Sequence, residues 1–308
     1  QDTPKGLAVR KPRLSWKLQS DRENTLQESY SIEVKENETV VWSTGEVISD
    51  KSVLVPYEGE ALKEETTYEV YLSVKTNHGE TENAYTTFQT GIFDGKSFEA
   101  KMITHDFPED ETACPVFYKK VQIDKPVLHA YAYATAHGVY ELSVNGQKAG
   151  EEFMSPGWTS YHKRLQYQFY DITELLAEEN EIALTVGNGW YKGILGFDCK
   201  PNRYGDRVEV FAEIHILFED GSTEVVATDE TWGVRTGEIR YSEIYMGEIQ
   251  DTDQPETREG KVSVVPFDKS LLCAQESEPV RVTRRFQAKR VFTDPEGNQV
   301  VDFGQNIT

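Results

Sequence analysis

Short runs in which apolar and polar residues alternate fill most of the first ninety or so positions of the chain. In SYSIEVKENE the residues Tyr30, Ile32 and Val34 share one face, and TYEVYLSVKTNHGE repeats the pattern from Tyr68 to Val74. A period of two predicts strands with one buried face. Turn residues recur about every eight to twelve positions, which is typical of an antiparallel β-sandwich.

A leucine and a tyrosine stand at the entry to the second of these strands, at Leu62 and Tyr68. This arrangement is typical of the tyrosine corner of fibronectin type III-like and immunoglobulin-like sandwiches, in which the phenol hydroxyl bonds to the backbone upstream. The glycine-flanked segment GIFDGK, at 91–96, is the best linker candidate. We therefore expect a first sandwich over residues 1–93.

Strand-like runs continue from residue 94 to about residue 270. They are VLHAYAYATAHGVYELSVNGQ, LQYQFYDI, EIALTV and RVEVFAEIHILFEDGSTEVV. Asn145-Gly146 and Asp220-Gly221 lie between strands and predict two-residue hairpin turns whose central residues both have positive φ. We expect a larger sandwich over 94–270, followed at 271–308 by the incomplete start of a further β-domain.

The sequence contains one helical signal, which begins at Asp171. Asp171 is a capping residue and Glu174 follows three positions later, ahead of LLAEE. The pattern predicts one or two helical turns that end at Glu179-Asn180.

The chain is strongly acidic, with 32 Lys and Arg against 53 Asp and Glu and a formal net charge of −21. This charge disfavours nucleic acid and anionic membranes as partners and favours a neutral one. No apolar segment approaches the ~20 residues of a membrane span. The start at Gln1-Asp2-Thr3-Pro4 would suit a mature exported protein, so a secreted, periplasmic or cell-surface location is expected, and a cytoplasmic one stays open.

Metal and disulfide signals are weak. Cys114, Cys199 and Cys273 are far apart and odd in number, so we expect buried free thiols and neither a disulfide framework nor a zinc site. Asp251-Thr-Asp253 begins like a calcium loop, but Glu256 stands where an EF-hand needs glycine. An EF-hand is excluded, whereas a looser sandwich-type calcium site stays open.

No residue can be nominated as catalytic. The histidines lie outside the G-x-S-x-G and H-E-x-x-H patterns. A glycosidase needs two carboxylates about 5 to 9 Å apart. The acidic stretch EIYMGEIQDTD brings four acids close together in sequence, and a solvated turn is the more ordinary interpretation of them. These acids are Glu243, Glu248, Asp251 and Asp253.

The segment VGNGWYKGILGF carries glycines at 187, 189 and 193, but no βαβ unit precedes it and no Lys-Ser or Lys-Thr completes a phosphate loop. It is better interpreted as a strand-ending turn. Trp190 and Tyr191 follow that turn, and Trp158 follows Pro156-Gly157. Aromatic rings beside turns suit either the C–H face of a sugar or the filling of a core, and both interpretations stay open.

Several segments of the chain resemble a known family. The stretch YELSVNGQKAGEEFMSPGWTSYHKRLQYQFYDITELL, followed by NEIALTVGNGWYKGILGF and IYMGEIQDT, resembles the N-terminal β-sandwich of bacterial α-L-rhamnosidases. PRLSWKL with SYSIEV resembles the fibronectin-like domain that precedes it, and VVDFGQNIT resembles the opening of the next β-domain. The resemblance implies an all-β chain of tandem antiparallel β-sandwiches: a fibronectin type III-like domain, a larger jelly-roll-like sandwich and the start of a third β-domain.

The resemblance also implies a division of labour. In this family the inverting hydrolysis of terminal α-L-rhamnosides takes place in an α/α toroid downstream of the β-domains, and this chain has no long segments of period 3.6. The implied function is that of a non-catalytic N-terminal portion. Its implied partners are the catalytic domain of the same polypeptide and L-rhamnose-containing glycans. An autonomous rhamnose-binding module and a cell-surface interaction protein are the alternatives.

Some sandwiches of the family bind rhamnose through calcium, with an Asp-Asn pair. Here valine precedes Asn145, which disfavours the metal, and no other cofactor is implied. The motifs carry over five candidate carbohydrate-binding residues: Asn145, Trp158, Asn188, Trp190 and Tyr191.

Overall fold

The computed structural model describes residues 3–253 and 256–306, in which regular structure is almost entirely β-strand. The first seven strands are Arg13–Leu14 (β1), Gln27–Glu36 (β2), Thr39–Ser43 (β3), Val47–Ile48 (β4), Val55–Pro56 (β5), Thr67–Thr76 (β6) and Thr81–Gln89 (β7). One antiparallel sheet has the order β3-β2-β6-β7, with β4 also paired to β2, and β1 pairs with β5 in a second, two-stranded sheet. We call this unit the first sandwich.

The predicted alternation and corner of the first sandwich are confirmed. Tyr30, Ile32 and Val34 of β2 are buried together with Tyr68 of β6 in one hydrophobic core. The Tyr68 hydroxyl accepts a hydrogen bond of 3.0 Å from the backbone N–H of Lys63. The phenol thereby ties the loop before β6 to the core strand.

The next fifteen strands form the second sandwich. They are Ile103–His105 (β8), Pro115–Gln122 (β9), Val127–His137 (β10), Val139–Val144 (β11), Gln147–Lys148 (β12), Leu165–Asp171 (β13), Glu179–Gly187 (β14), Glu209–Phe218 (β15), Thr223–Ala227 (β16), Gly233–Thr236 (β17), Ile239–Glu243 (β18), Gly247–Gln250 (β19), Glu259–Gly260 (β20), Val262–Val264 (β21) and Leu272–Ala274 (β22). One sheet has the order β21-β8-β15-β10-β13-β22, with β16 beside β15, and the facing sheet has the order β12-β11-β14-β9-β17-β20. Within the described ranges β13 with β22 is the only parallel pairing of named strands, and β18 with β19 forms a separate hairpin.

Strand β10 shows how the second sandwich is layered. Its alanines, from Ala130 to Ala136, are fully buried in the core between the two large sheets. Tyr133 points to the other face, where it joins a third cluster with Phe98 and Phe211. Because a strand alternates faces, the sequence AYAYATA packs small residues inside the sandwich and aromatic residues outside it. The sheet that contains β10 is therefore buried on both sides.

One predicted hairpin turn is confirmed and the other is wrong in type. Asn145 and Gly146 both have positive φ, +55° and +76°, as a two-residue turn requires. Asp220 does not adopt a positive φ, whereas Gly221 does. Phe218 N–H donates to Ser222 O at 2.9 Å, so the hairpin loop has three residues, 219–221. Three-residue hairpin loops commonly end with a residue of positive φ, and Gly221 holds that last position.

The predicted helix at Asp171 is also wrong in detail. Asp171 does accept a hydrogen bond from the backbone N–H of Thr173, at 3.2 Å, but only a 3₁₀ turn forms, over Thr173–Leu175. Strand β14 begins at Glu179 and leaves no room for more. The α-helical turn of the described chain, α1, instead spans Gly189–Lys192, where the glycine-rich sequence gave no helical period.

The remaining strands, Arg290–Thr293 (β23) and Gln299–Asp302 (β24), pair only with each other and are largely exposed. In residues 3–253 and 256–306 no helix is long and apolar enough to cross a membrane. All three cysteines are free, with Cys114 buried and Cys199 exposed. The expectation that all the thiols are buried is therefore wrong for Cys199, which lies in the loop between α1 and β15. The predicted all-β architecture of tandem antiparallel sandwiches is confirmed.

Candidate functional site

Five aromatic side chains meet at one edge of the second sandwich, and we call them the aromatic cluster: Trp158, Tyr161, Trp190, Tyr191 and Tyr204. The indole rings of Trp158 and Trp190 are parallel, with an interplanar angle of 7° and centroids 6.2 Å apart. Trp158 Nε1 donates a hydrogen bond of 3.1 Å to the Tyr204 hydroxyl. Trp158 is 54% exposed, so the cluster presents a flat, fixed ring to solvent.

The turn Gly187-Asn188-Gly189 positions Trp190 and Tyr191. Gly189 has φ of +54°, and a Cβ there would stand 2.8 Å from the backbone nitrogen of Val139. Only glycine fits this close approach to β11. The chain can therefore leave β14 and enter α1 directly, which brings the two aromatic residues over the sandwich edge.

The ring of Tyr191 packs against the imidazole of His137. Its ring stacks on His137 with centroids 4.3 Å apart and an interplanar angle of 2°. His137 Nδ1 in turn lies 2.6 Å from a carboxylate oxygen of Glu209. Burial raises the pKa of Tyr191 to about 12, and burial likewise raises the pKa of Tyr161. Both phenols therefore stay neutral at physiological pH and act as hydrogen-bonding and packing groups.

Asn188 lies on the opposite side of α1 from Trp190. Residues four apart share a helix face, and Asn188 lines a small cavity of about 160 Å³ together with Lys192 and Ser242. Burial lowers the pKa of Lys192. The Asn188 Nδ2 group donates a long hydrogen bond of 3.5 Å to Glu243. Asn188 is therefore separated from the exposed rings by the thickness of the helical turn.

The four acids of the stretch EIYMGEIQDTD differ in their burial. Glu243 is buried, and its carboxylate accepts the backbone N–H of Ile194 at 3.1 Å, which anchors the end of α1. Glu248, Asp251 and Asp253 are exposed. Among the described residues, no three His, Cys, Asp or Glu side chains group in a way that could hold a metal ion.

Asn145 lies far from the aromatic cluster. The β11–β14 ladder runs from Val139 opposite Gly187 to Val144 opposite Ile182, and Asn145 follows six residues after Val139, so it lies about 20 Å from the Gly187 end at about 3.4 Å per residue. The Asn145 side chain donates to Leu175 O and to Asn180, both at 3.0 Å, and accepts from Glu181 N–H at 2.9 Å. Its amide is thus occupied in holding neighbouring loops together.

The structure brings together three of the five predicted residues, Trp158, Trp190 and Tyr191, and leaves Asn145 and Asn188 elsewhere. Tyr161 stands three positions after Trp158 in P-G-W-x-x-Y, and this close spacing is the sequence signal that could have found it. The contributions of Tyr204 and His137 had no sequence signal, because both depend on contacts between distant strands and loops.

A family model described as the alpha-L-rhamnosidase N-terminal domain matches residues 125–284, which is more than half of the 308-residue chain. The chain belongs to the α-L-rhamnosidase N-terminal domain family. A second model, described as a Rha78A-like N-terminal immunoglobulin domain, matches residues 1–94. Both matches agree with the resemblance derived from the motifs.

Individual relatives show the same relationship over more of the chain. An α-L-rhamnosidase of Formosa agariphila is 28% identical over an alignment that is 353 residues long with its gaps. The alignment covers 100% of this chain and 37% of the relative. The crystal structure of native α-L-rhamnosidase from Aspergillus terreus has a TM-score of 0.85 and 31% identity, and the match covers 99% of this chain and 37% of that chain. An α-L-rhamnosidase structure from Dictyoglumus thermophilum has a TM-score of 0.80 and 27% identity, with the same coverage. The chain thus spans little more than a third of the length of these relatives and corresponds to their N-terminal β-domains.

Proposed function

We propose that this chain is the non-catalytic β-domain portion of an enzyme that hydrolyses terminal α-L-rhamnosides, and that its aromatic cluster contacts carbohydrate. The family match and the relatives named α-L-rhamnosidase support the first half of the proposal. The use of Glu243 as a backbone anchor supports a non-catalytic role for the acidic stretch. Hydrolysis is assigned to a part of the enzyme outside these sandwiches.

The exposed face of Trp158 is the observation that carries the carbohydrate role. A Trp that only fills a core is buried, as Trp232 is at 4% exposure, whereas Trp158 is 54% exposed and held rigid by Trp190 and Tyr204. A rigid ring loses little entropy on binding and matches the C–H face of a pyranose. The exposure of Trp158 also disfavours the alternative of a cell-surface interaction protein with no sugar role, for which buried Trp rings would be expected.

The proposal keeps a division into domains at 1–93, 94–270 and 271–308, with one correction: Leu272–Ala274 (β22) pairs with β13 of the second sandwich, so the chain leaves that sandwich only after Ala274. Separate hydrophobic cores support the first boundary, since Phe88 belongs to the core of the first sandwich while Ile92 and Phe98 pack on the second. The proposal includes a secreted, periplasmic or cell-surface location for the enzyme.

Calorimetric titration of L-rhamnose tests the carbohydrate role, with and without added calcium. We expect binding by the native chain and at least tenfold weaker binding by Trp158→Ala, since one stacked ring contributes about 1.5 kcal/mol. Tyr245→Ala removes another exposed aromatic residue, at 60% exposure on the β18–β19 hairpin, and serves as the matched control. Unchanged affinity in Trp158→Ala, or absence of heat under both conditions, would contradict the carbohydrate role.

Assays of the same chain on an aryl α-L-rhamnoside test its non-catalytic role. We expect no turnover above background. Hydrolysis that copurifies with the chain and disappears on its immunodepletion would show that the sandwiches are themselves catalytic.

A further inference from the structure

A concave surface, separate from the aromatic cluster, lies at the junction of the two sandwiches. No member of the aromatic cluster lines it. It is bounded by the N-terminal segment 3–6, by strand β13 and by the segment 275–281, and its volume is about 610 Å³. Ligand pockets of proteins typically have about 300 to 1,000 Å³ and favour domain junctions. We call this surface the junction cleft.

The cleft exists because β13 is covered along only part of its outer edge. Strand β22 pairs with β13 from Leu165 to Tyr167, and the last backbone-to-backbone hydrogen bond is Gln275 N–H donating to Tyr167 O at 3.0 Å. The chain then leaves the sheet. On the far side Gly6 packs against Phe169, close enough that a Cβ would meet the Phe169 side chain at 2.3 Å. The stretch of β13 between these two contacts borders an open space.

Gln168 lines this space and carries a buried polar atom without a partner. The residue is 2% exposed, and its Oε1 accepts a hydrogen bond of 2.8 Å from the Tyr140 hydroxyl. Its Nε2 is buried and has no hydrogen-bond partner among the described residues. Whichever way the amide is turned, one of its polar atoms stays unsatisfied, which is unfavourable unless another group bonds to it.

The charges of the cleft balance, which favours a neutral ligand. Arg281 pairs with Glu152 at 2.9 Å, and Lys5 lies 3.8 Å from Asp171. The charged residues of the lining are two cations, Lys5 and Arg281, and two carboxylates, Glu152 and Glu278, and both cations already face carboxylates, which makes them poorly disposed to take an anion. Gln275 is half-buried in the lining, and its side-chain amide makes no hydrogen bond within the described chain. The side-chain amides of Gln168 and Gln275 are neutral polar groups of the lining that can recognise a ligand.

We propose that the junction cleft is a second carbohydrate site, which takes a neutral oligosaccharide and bonds its hydroxyl groups through the amides of Gln168 and Gln275. The inference rests on the proposed function only for the class of ligand, because the cleft and its unsatisfied amide are separate from Trp158. An occupant here would touch the N-terminal segment 3–6 and the second sandwich at once.

The test uses the Trp158→Ala chain, in which the aromatic cluster is disabled. Calorimetry with L-rhamnose, methyl α-L-rhamnopyranoside and an α-L-rhamnosyl-glucose disaccharide should show residual binding to at least one of them. Adding Gln275→Ala should weaken that binding about tenfold, as expected for the loss of a ligand hydrogen bond. Gln168→Met, which nearly conserves volume, should do the same, whereas Gln122→Ala on exposed β9 should not.

Tryptophan fluorescence separates this inference from the proposed function, since no Trp lines the cleft. Binding at the aromatic cluster of the native chain should change the emission, and binding in the cleft should give heat without that change. Absence of heat with all three sugars in Trp158→Ala would overturn the cleft site. Residual binding that neither glutamine substitution weakens would overturn it equally, while leaving the role of Trp158 intact.

Discussion

Glu65 of the first sandwich and His215 of the second are joined by a hydrogen bond of 2.8 Å between carboxylate oxygen and Nδ1. The other ring nitrogen of His215 lies 2.8 Å from Glu213, which is 2% exposed, and the Tyr133 hydroxyl donates to Glu65 at 2.7 Å. A charged imidazole between two carboxylates therefore links the two units, 150 residues apart in sequence.

The stability of the chain should fall in mild alkali because of this histidine. Burial alone would lower the pKa of His215, but the hydrogen bonds to Glu213 and Glu65 outweigh it and raise the pKa to about 9. A folded-state pKa above the unfolded value of about 6.5 stabilises fully below pH 6.5 and is lost as the pH rises through about 9. Urea unfolding should show native stability falling by about 3 kcal/mol over this window.

His215→Gln should remove that alkaline loss, and His129→Gln, at an exposed position on β10, should keep it. At the acid end the same linkage predicts a second loss. Burial alone would raise the pKa of Glu65, but hydrogen bonds from His215 and Tyr133 lower it, so its contribution disappears as the pH falls through that lowered pKa. A flat native profile between pH 6 and 10 would show that the charged pair does not stabilise the junction.

The tyrosine corner predicts a specific loss of stability in the first sandwich. Tyr68→Phe removes the acceptor of the Lys63 N–H and should lower the free energy of unfolding by about 1 to 2 kcal/mol. Tyr71→Phe on the same strand removes a hydroxyl from a side chain that is 37% exposed and should change it by less than about 0.5 kcal/mol. Equal effects of the two substitutions in urea denaturation would contradict the structural role of the corner.

What could be predicted from the sequence depends on how local its physical cause is. Alternation over Tyr30 to Val34 predicted a strand face because period two is a property of consecutive residues. The prediction of a two-residue turn at Asp220-Gly221 was wrong. The length of a hairpin loop depends on the register of its strands, here β15 and β16, and sequence spacing does not determine that register. His215 gave no signal because its partner Glu65 comes from another unit, and Trp158 could not be told from a core residue until its exposure was known.

The anchoring of α1 by Glu243 can be tested by hydrogen exchange. Glu243→Ala leaves the Ile194 N–H without its acceptor, and burial of an unsatisfied donor costs about 1 to 3 kcal/mol. Exchange of the 188–196 backbone should accelerate at least fivefold. Glu248→Ala, which removes an exposed acid from the neighbouring hairpin, should leave it unchanged. If Glu243→Ala exchanges at the native rate, the carboxylate has some role other than holding the turn.

The packing of Gly6 on Phe169 gives a test of how the N-terminal segment is seated on the second sandwich. Gly6 and Gly79 have similar positive φ values, +70° and +80°, so alanine strains the backbone at both by about 1 kcal/mol. They differ in surroundings, because a Cβ at Gly6 would stand 2.3 Å from Phe169 while a Cβ at Gly79 meets nothing within 4 Å. Gly6→Ala should therefore lower the unfolding temperature more than Gly79→Ala does, and it should speed proteolysis near residues 3–6. Equal shifts would mean that the segment moves aside freely, in which case it could not form a fixed wall of the junction cleft.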